Sequence, residues 1–151
     1  MISVIIPAHN EENYINNTIN SVKQQDFNDY EIIVVCDGCT DNTLEKVKKL
    51  ADKIVFLKTR KGPAIAKNEG AKIAKGDLLV FLDADTKLTK GLLFHIKNNS
   101  SYYSVGTAKI YPSNSSLKHK FMMSLKNNLI CPFGVSNGII FCTKENFEKF
   151  N

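Results

Sequence analysis

Gly76-Asp77-Leu78-Leu79-Val80-Phe81-Leu82-Asp83-Ala84-Asp85-Thr86 decides the fold. Leu78 to Leu82 is an unbroken apolar run, the signature of a strand buried on both faces. Two carboxylates, Asp83 and Asp85, follow it at once. Charge is costly to bury, so a strand this apolar is not expected to end in paired acids through packing alone. If the segment stays extended, side chains at i and i+2 point the same way and both acids face one point. At the carboxyl end of a central strand such a pair suits a hard divalent cation with a phosphorylated ligand. The plainer alternative is that the acids start a turn and cap the helix after Lys90. These residues alone leave both readings open, with the turn the simpler.

Upstream of this stretch, strands and helices alternate. Ile2 to Ile6 is a β-branched strand ended by Pro7. Asn10-Glu11-Glu12 opens a helix with Asn10 as N-cap and Tyr14, Ile15, Thr18, Ile19 and Val22 as its apolar positions. Glu31 to Cys36 is a second buried strand. Asp37-Gly38-Cys39-Thr40 is a tight turn in which Gly38 can take a positive φ. Asp41 or Thr40 caps a helix facing inward through Leu44, Val47 and Leu50. Lys53 to Leu57 is a third strand. Pro63 suits a first helical turn, and Ala64 to Ala74 is a helix whose small residues allow close packing, with Gly76 as its C-cap.

Such alternation with short connections predicts crossover units and a largely parallel sheet. Asn10, Glu11, Asp37, Gly38, Lys61, Gly62, Asp83 and Asp85 all fall just past strand carboxyl ends, the ligand edge of an open parallel sheet. After Leu88 the pattern changes. A helix is expected over Lys90 to Lys97, a strand over Tyr102 to Ile110 and a Gly-containing strand region over Gly134 to Cys142. Thr143 starts a last short helix.

Bulk properties narrow the class. The chain has 151 residues, enough for one domain with a full core. It is 43% hydrophobic and 23% charged, as soluble globular proteins are. Net charge is +5, which favours anionic partners, but the lysines form no long run and nucleic acid is not favoured. Cys36 and Cys39 have the Cys-x-x-Cys spacing of redox or zinc sites. No second close pair completes a zinc set, and structural cysteines are the expectation. No signal peptide or membrane-length apolar run appears, so a reduced cytoplasmic setting is the default. A basic amphipathic stretch over 117 to 130 allows peripheral contact with the cytoplasmic membrane face, although core packing is the expected role of its apolar side. Gly-x-Gly-x-x-Gly, Walker and nucleophile-elbow signatures are all missing. His9, His95 and His119 show no ligand spacing.

Four blocks carry a resemblance. Ser3 to Glu12 is similar to the opening of the family 2 glycosyltransferases, and Val35 to Thr43 to their second block. Arg60 to Gly70, running on to Asp77, resembles the third, and Leu82-Asp83-Ala84-Asp85-Thr86 the Asp-x-Asp block. Residues 134 to 150 more loosely resemble the acceptor-side segment.

The resemblance implies a glycosyltransferase A fold, a Rossmann-like three-layer α/β/α sandwich with a mostly parallel central sheet. It implies a single domain over 1–151, with 1–88 the nucleotide-sugar-binding half and 89–151 a partial, truncated acceptor-side half. It implies an inverting, metal-dependent transfer of sugar from a nucleoside diphosphate donor, UDP-sugar favoured and GDP-sugar next. The acceptor would be lipid-linked, a polysaccharide or a protein. On this likeness Pro7, Ala8, Asn10 and Glu11 border the nucleoside and Asp37 contacts the base, with Gly38 beside it. Lys61, Gly62 and Asn68 lie along the nucleotide. Asp83, Ala84 and Asp85 form the ribose and metal block, with Asp85 the favoured direct ligand of Mg²⁺ or Mn²⁺.

Two departures stand out. The family often has two adjacent acids in its second block, where this chain has Cys36 before Asp37. The family's expected general base falls beyond Asn151, which implies a fragment of a longer enzyme, with Glu145 and Glu148 poor substitutes. A non-catalytic nucleotide-sugar-binding module or pseudoenzyme is the alternative. A nucleotidyltransferase fits less well, because the first loop is acidic rather than phosphate-cradling.

Overall fold

The computed structural model describes residues 1–100, 105–108 and 139–149. One six-stranded sheet runs through it in the order β3-β2-β1-β4-β6-β5. The strands are β1 Ile2–Ala8, β2 Tyr30–Asp37, β3 Lys53–Leu57, β4 Leu78–Leu82, β5 Val105–Thr107 and β6 Ile139–Thr143. β1 pairs in parallel with β2 and β4, and β2 with β3. β6 is antiparallel to β4 and to β5, so it alone reverses the common direction. The helices are α1 Ile15–Lys23, α2 Thr43–Val47, α3 Pro63–Lys72, α4 Leu92–Asn99 and α5 Lys144–Lys149.

Strand alternation divides the core in two. Ile2, Val4, Ile6 and Ala8 of β1 join Ile32, Val34 and Cys36 of β2 and Leu78, Val80 and Leu82 of β4 on one face. There they meet Ile15, Ile19 and Val22 of α1, Val47 of α2, and Leu93 and Ile96 of α4. The intervening residues Ile5, Ile33, Val35, Leu79 and Phe81 face α3 through Ala66 and Ala71, and α5 through Phe147. This is the expected three-layer α/β/α sandwich, and β4 is as apolar in place as in sequence.

Close approach on the α3 face depends on small residues. A Cβ on Gly70 would lie 2.4 Å from Ile5 Cγ2 and 3.1 Å from Val35 Cγ2. Gly70→Ala should therefore cost about 1–3 kcal/mol through overpacking, read as a lower urea midpoint at unchanged slope.

Five local expectations need correction. β1 does not stop at Pro7 but runs to Ala8, with Pro7 opposite Val35. The pairing of β1 to β4 ends at Ile5, so at Pro7 the strand has one neighbour and a missing N–H is tolerated. Asn10 is not the N-cap of α1, which begins only at Ile15, and Tyr14 is exposed rather than inward. Gly76 is not a C-cap either, because α3 ends at Lys72. Gly76 is buried where a Cβ would lie 2.7 Å from the Ser3 nitrogen and 2.8 Å from the Met1 oxygen, so close backbone approach excludes a side chain. Finally, α4 opens on Gly91 with no side-chain cap, so neither acid after β4 caps it.

Thr143 does start the last helix, its hydroxyl accepting the Asn146 N–H at 3.3 Å. The expected strand over 102–110 is seen as β5, and the expected amphipathic stretch over 117 to 130 lies outside the described residues. No helix among the described residues is long and apolar enough to cross a membrane.

Candidate active site at the carboxyl edge of the sheet

The sheet order turns back between β1 and β4. β2 and β3 lie to one side of β1, and β4 to the other. A crevice forms at such a switch point, outside the strand carboxyl ends. The loops after β1, β2, β3 and β4 converge there, and side chains lock them to one another.

Asp37 ends β2 and is buried. Its Oδ1 accepts the Lys61 N–H at 2.6 Å and its Oδ2 accepts the Gly62 N–H at 2.8 Å. His9 Nδ1–H donates to the Asp37 carbonyl at 2.6 Å. One residue thereby fixes the loop before α3 and touches the loop after β1. Gly38 follows with φ 62°, and a Cβ there would lie 2.4 Å from the Arg60 nitrogen. Gly62, at φ 96°, has nothing within 4 Å of where a Cβ would stand, so its backbone is open to a ligand. The Lys61 side chain is exposed beside it, and Asn68 is half-buried on α3.

The first two loops interlock. Asn10, at φ 56°, turns its Oδ1 to the Thr40 N–H at 2.8 Å and to the Asp41 N–H at 3.4 Å. The Glu11 N–H donates to Thr43 Oγ1 at 2.8 Å, and that hydroxyl donates to Asp41 Oδ1 at 2.5 Å. Asp41 also accepts the Thr43 N–H at 2.9 Å and the Glu12 N–H at 3.1 Å, one residue before Asn42, which takes the N-cap position of α2 in place of the expected Asp41 or Thr40. Desolvation raises the Asp41 carboxyl, but these donors outweigh it and hold it below the usual range.

After β4 the chain is not extended. The Thr86 N–H donates to the Asp83 carbonyl at 3.0 Å, closing a turn. The extended-segment premise for Asp83 and Asp85 therefore does not hold, and each acid has its own neighbour. Asp83 is half-buried and pairs with Lys67 of α3 at 3.4 Å. Asp85 is exposed. It lies near Glu11, whose carboxyl is raised by burial first and then by the charges of Asp85 and Asp41, with His9 lowering it in part. Negative charge thus accumulates between the loops after β1 and β4. Buried Ala84 anchors the turn, its carbonyl accepting the Thr18 hydroxyl at 2.6 Å. Pro7 is half-buried and Ala8 buried at the end of β1.

Several positioning residues went unmarked in the sequence reading. Thr18 and Ser21 on α1 and Gln25 just past its end form a polar stripe. Ser21 Oγ accepts the Leu88 N–H at 2.9 Å, and the Gln25 amide donates to the Thr89 carbonyl at 2.9 Å. With Thr18 they fasten the acid-bearing turn. Their signal was polar residues at helical spacing on an inward face. Lys67 and Thr43 were likewise visible only as members of quoted blocks.

The Cys-x-x-Cys pair lies at the same edge. Burial pushes the Cys36 thiol up to about 12, assisted by its neighbour Cys39 and by Asp41. The Cys39 thiol donates to the Ala8 carbonyl at 3.3 Å. Cys36, Cys39 and Cys142 are free thiols, as expected for structural cysteines.

An open, mostly parallel α/β sheet with acidic and glycine-bearing loops at its switch point defines a doubly wound, Rossmann-like class of domain. The glycosyl transferase family 2 model matches residues 3–147, and the chain belongs to that family. It is 34% identical over 134 residues, 83% of this chain and 52% of the relative, to UDP-Glc:alpha-D-GlcNAc-diphosphoundecaprenol beta-1,3-glucosyltransferase WfgD of Escherichia coli. Crystalline TarS 1–349 of Staphylococcus aureus in complex with UDP superposes with a TM-score of 0.76 at 26% identity, covering 98% of this chain and 48% of that one. The mannosyltransferase PcManGT of Pyrobaculum calidifontis, in complex with GDP-Man and Mn²⁺, superposes at 0.79 with 22% identity, covering 99% and 46%, and attests the fold. The chain spans about half the length of the curated relatives it matches.

Proposed function

We propose that this chain forms the donor-binding part of an inverting, metal-dependent glycosyltransferase using a nucleoside diphosphate sugar, with UDP-sugar favoured. The carrying observation is the carboxylate lock at the switch point. Asp37 holds Lys61 and Gly62 by their backbone N–H groups, leaving an exposed Lys61 side chain and an open Gly62 backbone at the carboxyl edge of the sheet, which supports a diphosphate there. Family membership and the UDP bound by TarS support the nucleotide assignment.

The oxygen-rich edge fits a hard divalent cation. Burial, then the charges of Asp85 and Asp41, hold the Glu11 carboxyl above its ordinary range there, and a cation would relieve that repulsion. Among the described residues no set of three His, Cys, Asp or Glu is placed to hold an ion. A site using Asp85 with diphosphate and water oxygens matches how Mg²⁺ is commonly held. When bound, Mg²⁺ or Mn²⁺ neutralises charge growing on the departing diphosphate. Asp83, restrained by Lys67, is then left to the ribose. The acceptor is proposed to be lipid-linked or polymeric, as the names of the WfgD and TarS relatives describe for those proteins.

Thermal-shift measurements with UDP, GDP, CDP and dTDP, each with and without Mn²⁺, test this reading. UDP with Mn²⁺ should raise Tm most, since a ligand at about 100-fold its Kd adds roughly 2.7 kcal/mol. Asp85→Asn should leave the melting of the free chain unchanged or slightly higher, because a like charge near Glu11 is removed, yet abolish the Mn²⁺-dependent part of the UDP shift. An undiminished metal-dependent shift in that variant contradicts the assignment of Asp85.

A further inference from the structure

We propose that Thr18, Ser21 and Gln25 are positioning residues that set the affinity for the divalent cation, by holding the Asp85 turn and the Glu11 loop in one frame on α1. The hydrogen bonds are independent of any ligand, whereas their consequence for the cation rests on the donor-site reading above.

Positions 18, 21 and 25 share one face of a helical path. All three residues are buried, so each polar atom needs a partner. The partners are backbone groups between the end of β4 and the first turn of α4. Thr18 Oγ1 donates to the Ala84 carbonyl at 2.6 Å, directly before Asp85. Ser21 Oγ accepts the Leu88 N–H at 2.9 Å, while its own proton goes to the Thr18 carbonyl at 2.7 Å. The Gln25 amide donates to the Thr89 carbonyl at 2.9 Å, and its Oε1 accepts the Leu93 N–H at 3.2 Å. That N–H is a donor which the start of a helix leaves unsatisfied, and Gly91 offers α4 no side-chain cap.

The same helix holds the other acid-bearing loop. The Tyr14 and Ile15 N–H groups donate to the Glu11 carbonyl at 3.0 and 2.9 Å. Thr18 lies about one turn further along. The first turns of α1 thus fix the backbone at Glu11 and at Ala84 together. This frame works against a repulsion, since the charge of Asp85 follows burial among the causes that raise the Glu11 carboxyl. Like charges favour separation of the two loops, and the bond from Thr18 to Ala84 opposes it. A cation site held in place before the ion arrives binds it without the cost of gathering its acids.

The test compares the native chain with Thr18→Val, Thr18→Ser and Ile19→Val. Thr18→Val removes the hydroxyl and little else of the side-chain shape. Hydrogen–deuterium exchange without ligand reads the Thr86 and Leu88 amides. Thermal shift with UDP reads the Mn²⁺ concentration that gives half of the metal-dependent effect. In Thr18→Val, exchange at both amides should be about tenfold faster and the Mn²⁺ requirement about tenfold higher, with the UDP shift in EDTA unchanged. Thr18→Ser keeps the hydroxyl and should match the native chain. Ile19→Val loosens the packing of α1 but leaves these bonds intact, and should move neither readout. Ser21→Ala, which frees the Leu88 N–H, should reproduce both changes and serves where Thr18→Val does not fold. Unchanged exchange in Thr18→Val and Ser21→Ala would overturn the frame. Faster exchange with an unaltered Mn²⁺ requirement, or equal changes in Ile19→Val, would overturn the positioning role. A native chain with no Mn²⁺-dependent UDP shift would sink the donor-site reading and the cation affinity with it, while ligand-free exchange would still judge the frame.

Discussion

Glu31→Ala should be the most damaging single substitution away from the ligand edge, costing about 3–5 kcal/mol, or roughly 6–20 °C in Tm. Glu31 lies at the opposite end of the sheet and is buried. Its Oε1 accepts the Ser3 hydroxyl at 2.7 Å and the Lys75 N–H at 2.5 Å, while Lys53 Nζ stands 2.8 Å from Oε2. Ser3 in turn accepts the Gly76 N–H at 2.8 Å. One carboxylate therefore ties β1, β2, β3 and the lead into β4. Removing it leaves a partly buried ammonium and buried donors without their acceptor. Burial by itself raises the Glu31 carboxyl, but the hydrogen bond from Lys53, the Lys75 N–H, the Ser3 hydroxyl and the Lys53 charge together bring it below its ordinary 4.5. A lowered native pKa stabilises above the unfolded value and is lost as pH falls through the native one. The gap in stability between the native chain and Glu31→Ala should thus be full at neutral pH and shrink below about pH 4.5. Urea titrations at pH 7 and pH 4 measure both; a gap that widens in acid would contradict this account of the cluster.

Asp37→Asn should disable the ligand edge and also cost stability, by about 1–3 kcal/mol. The asparagine keeps one acceptor oxygen but turns an NH₂ toward an N–H of Lys61 or Gly62. One donor loses its partner in a buried setting, and the loop before α3 is released. UDP binding should weaken at least about tenfold, roughly 1.4 kcal/mol. The contrast with Asp85→Asn is informative. Asp37 is built into the frame, so stability and binding fall together. Asp85 is exposed and accepts only a long bond from the adjacent Thr86 hydroxyl at 3.4 Å, so binding should fall with little change in stability. Calorimetric UDP titration beside urea denaturation separates the two, and an Asp37→Asn chain of native stability and affinity would contradict the lock.

The sheet was legible because its strands are apolar runs bounded by turn residues, and β3 and β4 fall where composition places them. Local caps were less legible. Asn10 has the chemistry of a helix cap, yet its acceptor is claimed by Thr40 and Asp41, some thirty residues away. Gly76 looks like a helix terminator, but its small size answers to the Met1 and Ser3 backbone. In both cases a tertiary partner outbid a local propensity, and sequence spacing carries no trace of such a partner. The site was read at the level of blocks: Asp37 joins Lys61 and Gly62, and Asp83 pairs with Lys67 of α3. Their mutual roles were not readable. Asp37 acts first on backbone, and Asp83 is paired with Lys67. The turn at Asp83 to Thr86 was one of two readings the sequence left open, since Asp-Ala-Asp is compatible with strand or turn.

A nitrogen-15 amide NMR titration with UDP, in Mg²⁺ and again in EDTA, tests most directly that this edge binds nucleotide. The account predicts Mg²⁺-dependent shifts concentrated at Glu11, Asp37, Lys61, Gly62 and Asp85. Amides near Glu31 and Lys75, at the far end of the sheet, should stay fixed. Saturating UDP that leaves the first group unmoved, or that shifts the second instead, would contradict it.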